Sequence, residues 1–566
     1  MMQILLRFLF LPTVLCIGYL HLSAQNQYSN FKTMSQNIDA LSREYPSICT
    51  IKSLVKTAGG KDIWVLTIGT GNKDSKPGIA VFGGVEENHL LGKELALGFA
   101  VSLLEESSSS ELKGLLDKIT FYVFPDVSPD ATEQFFSDLK YERTVNARST
   151  DDDRDFVFDE DPYEDLNKDG YITLIRVKDP SGKFTESDED KRVMVMADLS
   201  KGQSGSYLIY SEGIDNDKDD SFNEDGAGGV NFNRNFTFNY EEFGLNAGMY
   251  PMSEPETKAV ADFLFDRFNI YAVFIFGPQD NLGQPMKASE RQGAATPSGI
   301  GQGTGQGMRQ GMGRGQGMER GDRKITSIMR TDETINKLVS DKYHEITGAK
   351  GAPVTKTTLG NFMEWAYFHY GRYSFSTPAW WFPIEKGKST EVAFLKFAEK
   401  NKINDVFVPW TEIKHPDFPG KKTEVGGIKP FALINPPADT LSDLITKNYK
   451  FITAIAAMHP ELEFLDIKTE NAGENIFRIS LKLHNKGIFS TCAEIGKNNM
   501  WTRIMRISLE PVVGQSFLSG QKVQRIDPLE GDQSAEFNWL INGKGSVKVT
   551  AGALNVGIIN TTIELK

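Results

Sequence analysis

Gly78-Ile79-Ala80-Val81-Phe82-Gly83-Gly84-Val85-Glu86-Glu87-Asn88-His89-Leu90-Leu91-Gly92-Lys93-Glu94 is the stretch whose reading decides the fold. Ile79 to Phe82 is a short apolar run of strand length, and from Leu90 to Leu104 the apolar spacing becomes that of an amphipathic helix. A further strand is expected at Ile119 to Phe124. Alternation of this kind builds a mixed or parallel sheet with helices on its faces. Upstream, Ile63 to Ile68 reads as a strand, and Met34, Ile38, Leu41 and Tyr45 form one helical stripe that Pro46 ends. Downstream, Ser253-Glu254-Pro255-Glu256 has the form of a helix start, with Ser253 as cap, Pro255 in the first turn and Glu256 closing a capping box. Tyr271 to Phe276 follows as a buried strand.

The 566 residues leave room for two to four domains. Apolar residues at 40% and charged residues at 24% are globular values, and a net charge of −13 argues against a nucleic-acid partner. Arg7, the apolar run Phe8 to Leu20 and Ser23-Ala24 give residues 1–24 the form of a cleaved signal peptide, so an exported protein is expected, periplasmic, extracellular or at the cell surface. No other segment reads as transmembrane. Two stretches interrupt the α/β pattern: an acidic insertion, 151–225, and a Gly/Gln/Met/Arg tract, 291–323, expected as a flexible loop. Arg309, Arg314, Arg320 and Arg323 in that tract allow an RNA-binding reading, which the net acidity disfavours. A helix over Leu441 to Ala457 closes the first domain, 25–458, and short alternating runs make 459–566 a β-sandwich. Seven His and three Cys exclude a disulfide framework and restrict any zinc site to a short list of donors.

Several blocks in order resemble the M14 zinc carboxypeptidases, the carboxypeptidase A family. They are Tyr28 to Pro46, Thr57 to Ile68, Gly83-Gly84-Val85, Pro125 to Asp130, Gly229 to Phe236, Pro251 to Thr257 and Glu364-Trp365-Ala366-Tyr367. The resemblance covers about residues 28–430 and implies a mixed, eight-stranded-type sheet flanked by helices. It also implies one zinc ion, held by His-x-x-Glu and a later His, and a glutamate that takes a proton from the zinc-bound water.

This chain departs at those positions. The first motif reads Glu86-Glu87-Asn88-His89, with the ligand types in swapped order. Gly277-Pro278-Gln279-Asp280 stands where the third ligand belongs, and Pro378 where the catalytic glutamate belongs. Glu86, His89 and Asp280 remain a possible altered zinc shell; alternatively Glu86 and His89 hydrogen-bond each other in a metal-free cleft. On the substrate side the resemblance implies that Asn233 and Arg234 grip a peptide's terminal carboxylate. It implies Arg148, with Arg143 as runner-up, for oxyanion stabilisation and Tyr367 as the mobile closing tyrosine; a structural ion pair is the other reading of Arg234.

Asp165-Leu166-Asn167-Lys168-Asp169-Gly170-Tyr171-Ile172 reproduces the first half of an EF-type calcium loop, with Arg176 at the twelfth position in place of glutamate. Calcium through Asp165, Asn167 and Asp169 or a solvated acidic loop are equal readings. Asp159, Asp161 and Glu224 are candidates to complete such a site, and the runs Asp151/Asp153/Asp155 and Asp215/Asp217/Asp219 lack the turn glycine. Together these readings give an exported M14-like pseudopeptidase whose partner is a peptide or protein C terminus. The alternatives are an active metallocarboxypeptidase with an altered metal shell and a structural envelope-interaction protein.

Overall fold

The computed structural model describes residues 27–566 except 151–157, 159–161, 217, 219–221, 224–228, 290–323 and 355–356. The expected signal peptide and the Gly-rich tract lie outside the described residues, as do Asp159, Asp161, Glu224 and the Asp151/Asp153/Asp155 run. The central sheet runs Cys49–Lys56, Asp62–Ile68, Thr120–Phe124, Gly78–Phe82, Ile270–Phe276, Tyr373–Thr377. Its last four strands are mutually parallel, and the first two form an antiparallel hairpin against Thr120–Phe124. Gly78–Phe82 and Thr120–Phe124 are wholly buried, the pattern of strands covered on both faces. Their alternation shows in the rings: Phe121 meets Phe99 of the Leu90–Glu105 helix, while Tyr122 and Phe124 meet Phe263 of the Pro255–Phe265 helix on the other face.

Several expectations shift. The central sheet has six strands among the described residues rather than an eight-stranded type. The Leu90–Glu105 helix is not amphipathic, because the Leu441–Ala456 helix covers its outer side. The helix start at Pro255 has proline in its first turn but no capping box: Glu254 is the cap residue, and the Glu256 carboxylate turns to Asn146 instead. The acidic insertion supplies four strands, Leu174–Lys178, Phe184–Glu186, Met194–Met196 and Tyr207–Ser211, to a second, antiparallel sheet completed by Phe407–Ile413 and Thr423–Ile428. Ile175, Val177 and Val425 form its small core.

Residues 462–565 form two four-stranded antiparallel sheets around Ile479, Leu483, Ile507, Leu509, Trp539 and Ile541, a β-sandwich. Its connecting segment does not stay outside the first domain. Phe489, Ala493 and Ile495 join the main core. Asp332 accepts from the amides of Glu494 (2.7 Å) and Ile495 (3.1 Å), while Glu494 accepts from the Thr331 amide (2.9 Å), so each segment caps the other's helix start.

Candidate functional site

The loops leaving the C-terminal ends of the parallel strands, 83–89, 277–283 and 378–379, meet the Asn231-Phe232-Asn233-Arg234 segment, the usual place for a site in such a sheet. Two adjacent carboxylates anchor it. Glu87 is buried and accepts from the Phe232 amide (2.6 Å) and Asn231 Nδ2 (2.8 Å). Glu86 accepts from Asn233 Nδ2 at 3.0 Å. The same Nδ2 donates to Gln279 Oε1 at 2.9 Å, and Asn233 Oδ1 accepts from the Phe362 amide at 3.0 Å. One fully buried amide thus ties together three loops and a helix start. Burial, and then the neighbouring Glu86 charge, push the Glu87 carboxyl well above the usual range; burial raises Glu86 too, opposed by the Asn233 hydrogen bond.

The other expected metal donors turn elsewhere. His89 Nε2 lies 3.2 Å from the Pro378 carbonyl, and burial lowers its pKa to about 4, so the ring is neutral and Nε2 carries the donated proton. Glu86 and His89 therefore bond to Asn233 and Pro378 rather than to each other. Asp280 closes its own turn, accepting from the amides of Leu282 (3.1 Å) and Gly283 (2.7 Å), and burial lifts its pKa to about 6. Among the described residues no group of three or more His, Cys, Asp and Glu side chains is placed to hold a metal ion. Glu86, His89 and Asp280 each bond a different neighbour; among the described residues His89 Nδ1 and Asp280 Oδ2 are buried without a hydrogen-bond partner, but the three side chains are not grouped to share one ion and do not fit a zinc shell.

On the substrate side, Arg234 pairs with Glu241 at 2.6 Å while its Nε is buried without a partner. Arg148 pairs with Glu254 at 2.7 Å and keeps its guanidinium partly exposed. Arg143 is spent on the carbonyls of Val145 and Asn146, which disfavours the runner-up. Asn233 is wholly buried with all its bonds made, so it is not presented to a ligand as the motif suggested. Tyr367 is likewise not a mobile side chain: it is buried, donates to Asp332 at 2.6 Å and accepts from the Met329 amide at 2.9 Å.

The profile of one family, described as zinc carboxypeptidase, peptidase M14, matches residues 34–380, more than half of the chain. The chain belongs to this family. A domain of unknown function, DUF8731, matches residues 461–564, the β-sandwich. Curated relatives are carboxypeptidase M of Mus musculus, 27% identical over 129 residues (22% of this chain, 28% of the relative), and carboxypeptidase B of Astacus astacus, 22% identical over 122 residues (22% and 39%). The chain therefore spans well under half the length of these relatives. Among solved structures, bovine thrombin-activatable fibrinolysis inhibitor in complex with tick carboxypeptidase inhibitor is 14% identical with a TM-score of 0.38, over 76% of this chain and 97% of that one. Carboxypeptidase A from Helicoverpa armigera is 12% identical with a TM-score of 0.39, over 76% and 74%.

Against the M14 pattern, the residues that sequence reasoning missed are Glu87, Asn231 and Gln279. Glu87 lies 144 residues from its amide partner Asn231, so no local spacing announces the pair. The calcium loop folds on itself: Asp165 accepts from the amides of Lys168 (2.6 Å), Asp169 (3.2 Å) and Gly170 (2.7 Å), and Asn167 donates to Asp169 at 3.0 Å. Arg176, at the twelfth position, is a sheet residue paired with Glu424 at 2.8 Å and stacked on Trp410. Arg176 leaves the described part of the loop without the bidentate oxygen that an EF-type loop takes at its twelfth position, and Asp159, Asp161 and Glu224, the candidates to complete a site, lie outside the described residues.

Proposed function

We propose that this chain is an exported M14 pseudopeptidase, a carboxypeptidase fold that binds polypeptide C termini without cleaving them. One observation carries the reading: Asn233 Nδ2 donates both to Glu86, at the first metal-ligand position, and to Gln279, in the loop where the third ligand belongs. A hydrogen-bonded amide and carboxylate hold the cleft together where the family uses a cation. Hydrolysis also needs a base positioned on the attacking water, worth about 10²–10⁴-fold. Pro378 stands where that base belongs and offers only a carbonyl, which His89 occupies. What supports recognition is that Arg148 and Arg234, although paired with Glu254 and Glu241, keep their side chains partly exposed, and a bidentate guanidinium suits a carboxylate.

The test is direct. The mature chain, purified without chelator, is analysed for metal and then incubated with excess zinc and a mixed peptide library read by mass spectrometry. No stoichiometric zinc and no C-terminal trimming are expected. Binding of free-acid peptides should weaken on amidation of their C termini and in Arg234→Ala. One bound zinc with residue-by-residue trimming would overturn the proposal.

A further inference from the structure

Pro378 turns its carbonyl to His89 in the cleft, while the next residue, Ala379, lines a separate pocket of about 240 Å³. This pocket lies between the C-terminal end of the Arg330–Thr347 helix, the Leu441–Ala456 helix and the Ala379-Trp380-Trp381 turn. Sites for drug-sized ligands occupy roughly 300–1,000 Å³, so there is room here for a single ring. At Gly348, the left-handed cap of the first helix, a Cβ would stand in open space, which keeps the mouth clear.

The lining is built rather than incidental. Asn448 is 2% exposed, and its Nδ2 donates to the Leu444 carbonyl of its own helix at 2.9 Å. Its Oδ1 is buried with no hydrogen-bond partner among the described residues. A buried acceptor left open is costly unless something supplies a donor. Trp381 is half-buried, and its indole N–H is spent on the Lys350 carbonyl at 2.8 Å, so a ring face is what it has left to offer. Ala379, which starts the turn, sits at φ 60°, a left-handed conformation uncommon outside glycine, with its amide held by Thr377 Oγ1 at 3.0 Å. The cationic part of the lining is Lys350, which is exposed, and Lys447, which Asp443 holds at 2.6 Å.

We infer that this pocket binds one pyranose ring of a carbohydrate. What each lining group offers decides the occupant: Asn448 Oδ1 an acceptor, Lys350 donors and a positive charge, Trp381 an apolar face. A carboxylate or phosphate carries acceptors only and leaves Asn448 open. An ammonium group carries donors only and meets the like charge of Lys350. An indole supplies a face and a donor but nothing for Lys350. Sugar hydroxyls both donate and accept, and the C–H face of the ring packs on an indole. None of the residues proposed to recognise a C terminus takes part, so this site and that reading stand or fall separately.

The experiment uses the full mature chain and a panel of disaccharides of glucose, galactose, N-acetylglucosamine and glucuronate, each at millimolar concentration. Binding is read by saturation-transfer NMR and tryptophan fluorescence, with indole and p-cresol as ring controls. At least one disaccharide should bind, and Trp381→Ala and Asn448→Leu should each weaken it by about tenfold or more. Lys350→Ala, at an exposed position, should weaken it several-fold. Unfolding curves matching wild type establish that the variants fold; should Asn448→Leu not fold, Trp381→Ala and Lys350→Ala carry the test. If no disaccharide binds, or if the folded variants bind as wild type, the inference fails. Binding of indole or p-cresol in place of every sugar, lost in Trp381→Ala, would also overturn it and leave an aromatic side chain as the occupant.

Discussion

Two acidic regions of this chain bring carboxylates together and manage them differently. In the cleft, Glu86 and Glu87 are held by Asn231, Asn233 and the Phe232 amide, partners more than 140 residues away. In the Asp165 loop, the carboxylate is held by amides three to five residues away. The first arrangement exists only when the whole fold exists, whereas the second is a local turn that its own sequence can form. Acidity alone thus says little about metal binding: both sites carry the oxygens a cation would use, and both give them to N–H donors.

Removing a donor from the cleft should have the largest effect. Asn233→Ala strands Glu86, Gln279 and the Phe362 amide together, and a stability loss of roughly 3–5 kcal/mol is expected in urea unfolding. A loss below about 1 kcal/mol would erase the contrast with the local loop. A smaller effect concerns Glu256, whose carboxyl accepts from Asn146 at 2.7 Å behind the cleft and is raised by burial to about 7. An acid raised above its unfolded value of 4.5 stabilises fully below that pH and loses its contribution as pH rises through about 7. Stability should therefore fall between pH 4.5 and 7 by on the order of 3 kcal/mol from this group, and Glu256→Gln should flatten that slope. An unchanged slope in the variant would remove Glu256 as its cause. The smallest effect belongs to the loop: exchanging chelator for millimolar calcium should move the melting temperature by less than about 1 °C. A rise of several degrees would show that the loop gains a cation and would narrow the contrast between the regions.

Periodicity made the α/β core legible. The strands at Ile63, Ile79, Ile119 and Tyr271 and the helices at Met34 and Leu90 lie where apolar spacing placed them, because each is built from contiguous residues. The second sheet was hidden: Leu174-Ile175-Arg176-Val177 is a strand whose third residue is a buried arginine, and an acidic context masks so short an alternation. In the cleft, the swapped order at Glu86 and His89 and the proline at 378 could be read directly. What the substituted side chains do instead could not, since Asn233, Gln279 and Pro378 meet their partners only through sheet topology. Tyr367 illustrates the same limit. Its block matches the family, but its hydroxyl is fixed by Asp332, a residue of a different helix.

That carboxylate has a mechanical consequence. Asp332 takes Tyr367 from one side and the amides of Glu494 and Ile495 from the other, with Glu494 returning to Thr331. The link crosses from the α/β unit into the segment between sandwich strands, so melting either unit strips hydrogen bonds from the other. Heat should meet them as one cooperative block, and force applied at the C terminus should be carried through Asp332 to the residue that sequence resemblance would have left free to swing.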